Sequence, residues 1–253
     1  MRHAYQDAAV LTHGCAAGPG RPREDVFGAA GIAEHPSAMR IVTLPGVFRP
    51  HSDTWLLAAH LRDQLRPGAA VLDVCTGSGA LAVTAARHGA GAVTAIDVSR
   101  RAVLTARINA RLNGVRVRAL RGDLLAPVAG ERFDVIVSNP PYVPAEDDAL
   151  PTRGPRRAWD AGTDGRALLD RVCAAAPAHL RPGGILLLVH SSVCGLDPTV
   201  EHLEAAGLDV DVLERRPGPF GPLLSARAPV LEARGVLAPG QREEDMLVVR
   251  AAA

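Results

Sequence analysis

From Met39 onward, apolar residues recur in two alternating rhythms. Short unbroken or every-other-residue runs at 71–75, 93–97, 115–120, 133–138 and 185–189 predict five strands, and 208–214 and 245–250 predict two more. Helical spacing falls between the first five, at 78–88, 99–113 and near 167–180, with a further helix at 52–65 ahead of the first strand. The 99–113 segment carries the plainest signature: Ser99 suits an N-cap, Leu104, Ile108 and Leu112 recur at i, i+4 and i+8, and Gly114 stands where a left-handed C-cap is expected. Such alternation predicts an α/β fold: a Rossmann-like, seven-stranded, mostly parallel sheet with helices on both faces. The last two strands are joined by a Pro/Gly-rich connection, 217–240, without an obvious regular helix, which predicts an antiparallel C-terminal hairpin. Residues 1–38 show no sustained period and include Gly18-Pro19-Gly20-Arg21-Pro22-Arg23, so they read as a flexible tail ahead of one domain at 39–253.

Composition narrows the possible partners. With 47% apolar and 22% charged residues, the 253-residue chain has the balance of a globular protein with a sizeable core. Its 28 basic residues, all arginine, nearly cancel 27 acidic ones, and a net charge of +1 supplies no field for gripping nucleic acid or an anionic membrane. Uniform arginine, with abundant Ala, Gly and Pro, reads as coding bias, so Arg153, Arg156 and Arg157 read as a solvated loop in preference to a phosphate site. No run approaches the roughly 18 apolar residues of a membrane helix. Cys15, Cys75, Cys173 and Cys194 lie far apart with no C-x-x-C pair, so neither a disulfide framework nor a metal site is expected, and the chain reads as reduced and cytoplasmic.

In open α/β sheets the ligand lies beyond the carboxyl ends of the strands, and the unusual residues gather there. After the first strand, Asp73-Val74-Cys75-Thr76-Gly77-Ser78-Gly79 leads into an apolar helix; glycines at such a junction admit a close ligand and leave helix N–H groups free. A nucleotide-like molecule is implied, but Cys75 at the first glycine position disfavours a pyrophosphate cradle. Asp97 ends the second strand, where a carboxylate can accept both hydroxyls of a ribose, and Asp123, followed by Leu124, ends the third, within reach of a base. Taken in order, these strand ends resemble motifs I, II and III of the class I S-adenosylmethionine-dependent methyltransferases. The resemblance implies S-adenosyl-L-methionine as cofactor, with Asp73, Cys75, Thr76, Gly77, Ser78 and Gly79 around its methionine portion, Asp97 on the ribose, and Asp123 with Leu124 at the adenine.

The fourth strand runs into Asn139-Pro140-Pro141-Tyr142. Two prolines stiffen the turn, and the Asn139 side-chain carbonyl and Pro140 backbone carbonyl can accept the two N–H bonds of a planar amino group while Tyr142 stacks on it. This turn resembles the N-P-P-Y motif of methyltransferases acting on amide or exocyclic base nitrogens, and implies catalysis by Asn139, Pro140, Pro141 and Tyr142, with Asn139 also reaching the cofactor. His190, beyond the fifth strand, either reaches the pocket or bonds a neighbouring loop.

Flanking segments narrow the acceptor. Phe48-Arg49-Pro50-His51-Ser52-Asp53-Thr54-Trp55-Leu56-Leu57 resembles the F-x-P-x-x-(D/E)-T-x-L-L segment of the HemK family, the release-factor glutamine methyltransferases. Ala158-Trp159-Asp160-Ala161-Gly162-Thr163-Asp164-Gly165-Arg166 is similar to that family's A-x-x-G-G-x-D-G-x stretch, and the ending Glu243 to Arg250 resembles the terminal strand of its shorter, single-domain branch. The resemblance implies a protein substrate, the glutamine loop of a release factor, and a small zinc-binding activator subunit as a conceivable partner. Phe48, His51 and Asp53 either close the pocket or simply cap and pack the 52–65 helix. Two other acceptors stay open: an RNA or DNA amino group of the adenine N6 type, and a small molecule of secondary metabolism.

Overall fold

The most apolar runs occupy the middle of the sheet. The structure, a computed structural model, describes residues 32–35 and 39–253. Seven strands, β3 (Ala70–Val74), β4 (Ala92–Asp97), β5 (Arg118–Arg121), β6 (Phe133–Ser138), β7 (Leu180–Ser191), β8 (Asp209–Pro219) and β9 (Glu243–Ala252), lie in the order β5-β4-β3-β6-β7-β9-β8. β3 to β7 run parallel, and β9 is antiparallel to both neighbours. The expected α/β architecture and closing antiparallel pair are therefore present, with the last strand inserted between β7 and β8.

Side chains alternate across the central strands, as a sheet covered on both faces requires. Leu72, Val74, Ile96, Ile136, Leu186 and Leu188 pack toward α4 (Leu169–Ala175) and α5 (Asp197–Ala205). Val71, Ala95, Val135, Val137 and Leu187 pack toward α1 (Ser52–Gln64) and α2 (Ala80–Arg87). The chain moves outward from β3 to β5 and then returns to place β6 beside β3. The carboxyl ends of β3 and β6 thus flank the point where strand order reverses.

Several expectations are corrected. Helix α3 (Arg100–Leu112) exposes its Leu104 and Leu112 and buries Ala102, Val103, Thr105, Ala106, Asn109 and Ala110 instead. Close approach decides this: a Cβ on Gly79 would lie 2.8 Å from Ala106, so the glycine turn admits only the small-residue face of the helix. Helix α5 was not anticipated, and the 217–240 connection, expected without a helix, contains α6 (Pro222–Ala233). Pro222 in its first turn is a favourable starter, and Leu224, Ala228 and Leu231 do recur at helical spacing, but Pro229 interrupts that pattern. Within the segment expected as a tail, β1 (Ile32–His35) pairs antiparallel with β2 (Met39–Val42); the remainder of 1–38 lies outside the described residues.

Candidate active site

A cavity of about 530 Å³ opens over the carboxyl ends of β3, β4, β5 and β6. Cys75, Thr76, Gly77 and Ser78 line it after β3, Asp97 after β4, Asp123 and Leu124 after β5, and Asn139 and Pro141 after β6. The sequence-predicted strand-end residues therefore share one wall. Asp73 and Gly79 do not line it. Asp73 is fully buried beneath the turn, where its Oδ2 accepts from Thr76 Oγ1 at 2.5 Å and from the Ala82 amide at 3.0 Å while Oδ1 has no partner. Burial in the sheet pushes its carboxyl up to about 7, so Asp73 braces the turn from below.

Asp97 holds the Gly77 amide through one oxygen at 2.9 Å and the Ser99 amide through the other at 2.8 Å. Burial raises its pKa, while these backbone bonds and the nearby charge of Arg157 pull the other way. Each carboxylate oxygen keeps a second lone pair for a ligand. Two residues on this wall, Cys75 (φ 59°) and Leu124 (φ 46°), are the non-glycine residues with left-handed backbone among those described, a strain of the sort that collects at ligand sites. Asp123 is also ion-paired at 2.6 Å with Arg171 of α4.

A second cavity, about 460 Å³, lies on the other side of the Asn139 turn. Phe48, Asn139, Pro141 and Ala158 line both cavities, and Pro140 and Tyr142 line the second alone. The N-P-P-Y turn is thus the partition between two volumes, each within the range of small-ligand sites. Asp53, which begins α1, carries both roles that the sequence left open. Its Oδ1 accepts the Thr54 amide at 2.7 Å, a helix-start bond, and its Oδ2 accepts from Asn139 Nδ2 at 2.9 Å and Tyr142 Oη at 2.9 Å. Burial and the Asp53 charge hold the Tyr142 phenol well above its usual pKa, so it stays protonated and donates.

The loop after the turn is tightly seated. The Cys194 thiol donates to the Tyr142 carbonyl at 3.0 Å, and any side chain at Gly165 would run into that same carbonyl, which accounts for glycine in the Asp164-Gly165-Arg166 segment. From α6, Arg227 donates to the Pro144 carbonyl at 2.7 Å and pairs with buried Asp160 at 2.5 Å, while Arg234, just past the end of the helix, donates to the Ala145 carbonyl at 2.7 Å.

Other expected residues sort differently. Arg156 pairs with Asp160 at 2.6 Å, whereas Arg153 and Arg157 line the first cavity, so that loop is not simply solvated. His190 lines neither cavity; its Nδ1 meets the Ser191 carbonyl at 3.0 Å inside the core. Sequence reasoning missed Thr54 on the first wall and, on the second, the end of β8, the start of α6 and Glu244, which accepts a hydrogen bond from Ser191. Neither carried a signal: Glu244 stands in the unbroken acidic run Glu243-Glu244-Asp245, and the end of β8 with the start of α6 reads as a Pro/Gly-rich connection.

Comparisons with known proteins agree with this geometry. The family described as Methyltransferase small domain matches residues 38–152. Among solved structures, the T. thermophilus 16S rRNA N2 G1207 methyltransferase, in complex with AdoMet and guanosine, has a TM-score of 0.61 and 25% identity, covering 88% of this chain and 50% of that one. Fold and site together define a class I S-adenosylmethionine-dependent methyltransferase. A protein bearing the name N5-glutamine methyltransferase in Methanocaldococcus jannaschii is 34% identical over 184 residues, 73% of this chain and 92% of that one. The release factor glutamine methyltransferase of Geobacter sulfurreducens is 39% identical over 153 residues, 58% of this chain and 54% of that one. The chain belongs to the protein N5-glutamine methyltransferase family that these relatives represent. It spans nearly all of the archaeal relative and about half the length of the bacterial one.

Proposed function

We propose that the protein transfers the methyl group of S-adenosylmethionine to the side-chain amide nitrogen of a glutamine in a protein, a peptide chain release factor being the leading substrate. The observation that carries this reading is the meeting of the two cavities at Asn139 and Pro141. The first cavity fits the cofactor: Gly77 has left-handed backbone, and a Cβ placed there would meet no atom closer than 4.0 Å, so a ligand can approach its backbone, and acidic side chains stand at two successive strand ends. In this reading Cys75, Thr76, Gly77 and Ser78 wrap the methionine portion, Asp97 takes the ribose hydroxyls, and Asp123 with Leu124 takes the adenine. Bound there, S-adenosylmethionine supplies an electrophilic methyl on a sulfonium centre.

The chain's own contribution is positioning and exclusion of water. Asn139 Oδ1 and the Pro140 carbonyl accept the two N–H bonds of the substrate amide, which draws its nitrogen toward sp3 character and aims the lone pair through the partition. Tyr142 stacks on the flat amide, and its π face tolerates the positive charge that develops. No strong base is required before the bond forms, because the proton leaves after the nitrogen becomes cationic.

Two further aspects belong to the same reading. An activator subunit is a fitting partner: a neighbour of 22% identity and TM-score 0.55 is the E. cuniculi Mtq2–Trm112 complex, and Leu104 and Leu112 leave an apolar strip exposed on α3. The setting is the cytoplasm, where Cys75, Cys173 and Cys194 stay reduced; among the described residues no helix is long and apolar enough to cross a membrane. The guanosine-bound neighbour keeps an RNA amino group as the second reading. Competition separates them: enzyme and deuterium-labelled cofactor are mixed with the organism's release factors and its ribosomal RNA together. Label on a release-factor glutamine supports the proposal, and label confined to RNA replaces it with the second reading.

A further inference from the structure

We propose that Asp53 is a positioning residue that fixes which end of the Asn139 side chain faces the acceptor. The inference rests on the reading of Asn139 as the group that holds the substrate amide. An asparagine amide can be turned end for end within the same volume, and its two ends have opposite hydrogen-bonding character. With the carbonyl facing the second cavity, Asn139 accepts an N–H from the substrate; with the NH2 facing it, the same residue repels an amino group.

Asp53 removes that ambiguity by chemistry. The atom of Asn139 held 2.9 Å from the carboxylate oxygen Asp53 Oδ2 is the nitrogen, a donor on an acceptor, which leaves Oδ1 free of that contact. Thr54 Oγ1 accepts a second bond from the same nitrogen at 3.1 Å, so both hydrogens of Nδ2 are spoken for. The same Asp53 oxygen accepts the Tyr142 hydroxyl at 2.9 Å, which ties the stacking ring to the amide it stacks over. Asp53 itself cannot swing away, because its other oxygen is anchored on the Thr54 amide at 2.7 Å in the first turn of α1. One carboxylate therefore aligns both side chains of the acceptor site from a rigid helix end. Asp53 lines the acceptor cavity and not the cofactor cavity, so its loss acts on the acceptor side, where it holds Asn139 and Tyr142, and leaves the cofactor wall intact.

The test uses the full chain with Asp53→Ala, Asp53→Asn, Asn139→Ala and the double variant Asp53→Ala/Asn139→Ala. Single-turnover methyl transfer to a release factor, cofactor affinity by calorimetry and the side-chain NH2 signals of Asn139 in a 15N-labelled sample are measured. Asp53→Ala is expected to slow transfer roughly tenfold to a hundredfold with cofactor affinity unchanged, the range that misplacement of an aligned group produces. Asp53→Asn keeps size and packing but has one oxygen for three donors, so it is expected to fold like the parent and still be slow. In the Asn139→Ala background, loss of Asp53 should slow transfer by much less than it does in the parent, because only the Tyr142 contact is left to lose, and in Asp53→Ala the Asn139 NH2 protons should lose their protection from exchange. Additive losses in the double variant, or equal NH2 protection with and without Asp53, would overturn the proposal. If the parent enzyme labels no glutamine at all, the substrate reading fails, and the NH2 signals still decide whether Asp53 sets the orientation.

Discussion

Asp97 joins two duties that the sequence presented as alternatives. Turn chemistry is there, in the bonds to the Gly77 and Ser99 amides, and so is a place on the wall of the cofactor cavity. Hydrogen bonds to a charged group contribute about 1.5–3 kcal/mol each, so Asp97→Ala should weaken cofactor binding roughly tenfold to a hundredfold in calorimetry; unchanged affinity would remove it from the ribose role. His190 makes a second residue-scale prediction. Burial lowers its pKa from 6.5 to about 4, and its Nε2 has no partner, so it sits in the core as a neutral ring. Because the folded pKa is depressed, its contribution is complete above pH 6.5 and is lost as pH falls toward 4, roughly 3 kcal/mol in all. Asp73 acts in the opposite sense, since its raised pKa makes stability fall as pH rises through about 7. The readout is therefore the difference between His190→Asn and the parent in denaturant titrations at pH 7 and pH 4.5, which should narrow on acidification. A constant difference would show that His190 is not the acid-sensitive group.

Elements were legible where packing followed the simplest rule and misleading where close approach overrode it. Strands β3, β4 and β6 stand within a residue of their expected positions, because central parallel strands must be continuously apolar. Helix α3 was expected in place, but its apolar stripe faces outward, since the glycine turn beneath it accepts only alanine-sized neighbours. The inner face also carries Asn109, fully buried, which no periodicity argument would place there. Asn109 exchanges both backbone bonds with Val42, at 2.9 and 2.8 Å, and donates to the Ser78 carbonyl at 2.8 Å; Asn113, one turn on, does the same with Arg40, at 3.0 and 2.7 Å. Two asparagines thus stand in for a strand alongside β2. Asn109→Ala leaves those buried groups unpaired and should cost roughly 2–4 kcal/mol in denaturant melts, with looser cofactor binding through Ser78. A loss under about 0.5 kcal/mol would mean that water replaces the side chain without penalty.

At the scale of the whole molecule, the sheet delivers four strand ends to one cavity, and the connection from β8 through α6 builds much of the other. The first was readable because each strand end carries its own motif residue in register with the glycine turn. The second was not, because Pro217, Gly218, Pro219 and Pro222 look like loop filler until the antiparallel β9 brings them opposite Tyr142. Net charge of +1 agrees with recognition by local shape in preference to a broad electrostatic field. The account stands or falls on Asn139 as the point where cofactor and amide meet. The most direct measurement is peptide mass spectrometry of a release factor after one turnover with prebound labelled cofactor, comparing the parent enzyme with Asn139→Ala. The expected result is a methyl on the glutamine side-chain nitrogen with the parent and none with Asn139→Ala, although both still bind the cofactor. Equal labelling by Asn139→Ala, or a methyl on any other residue, would contradict it.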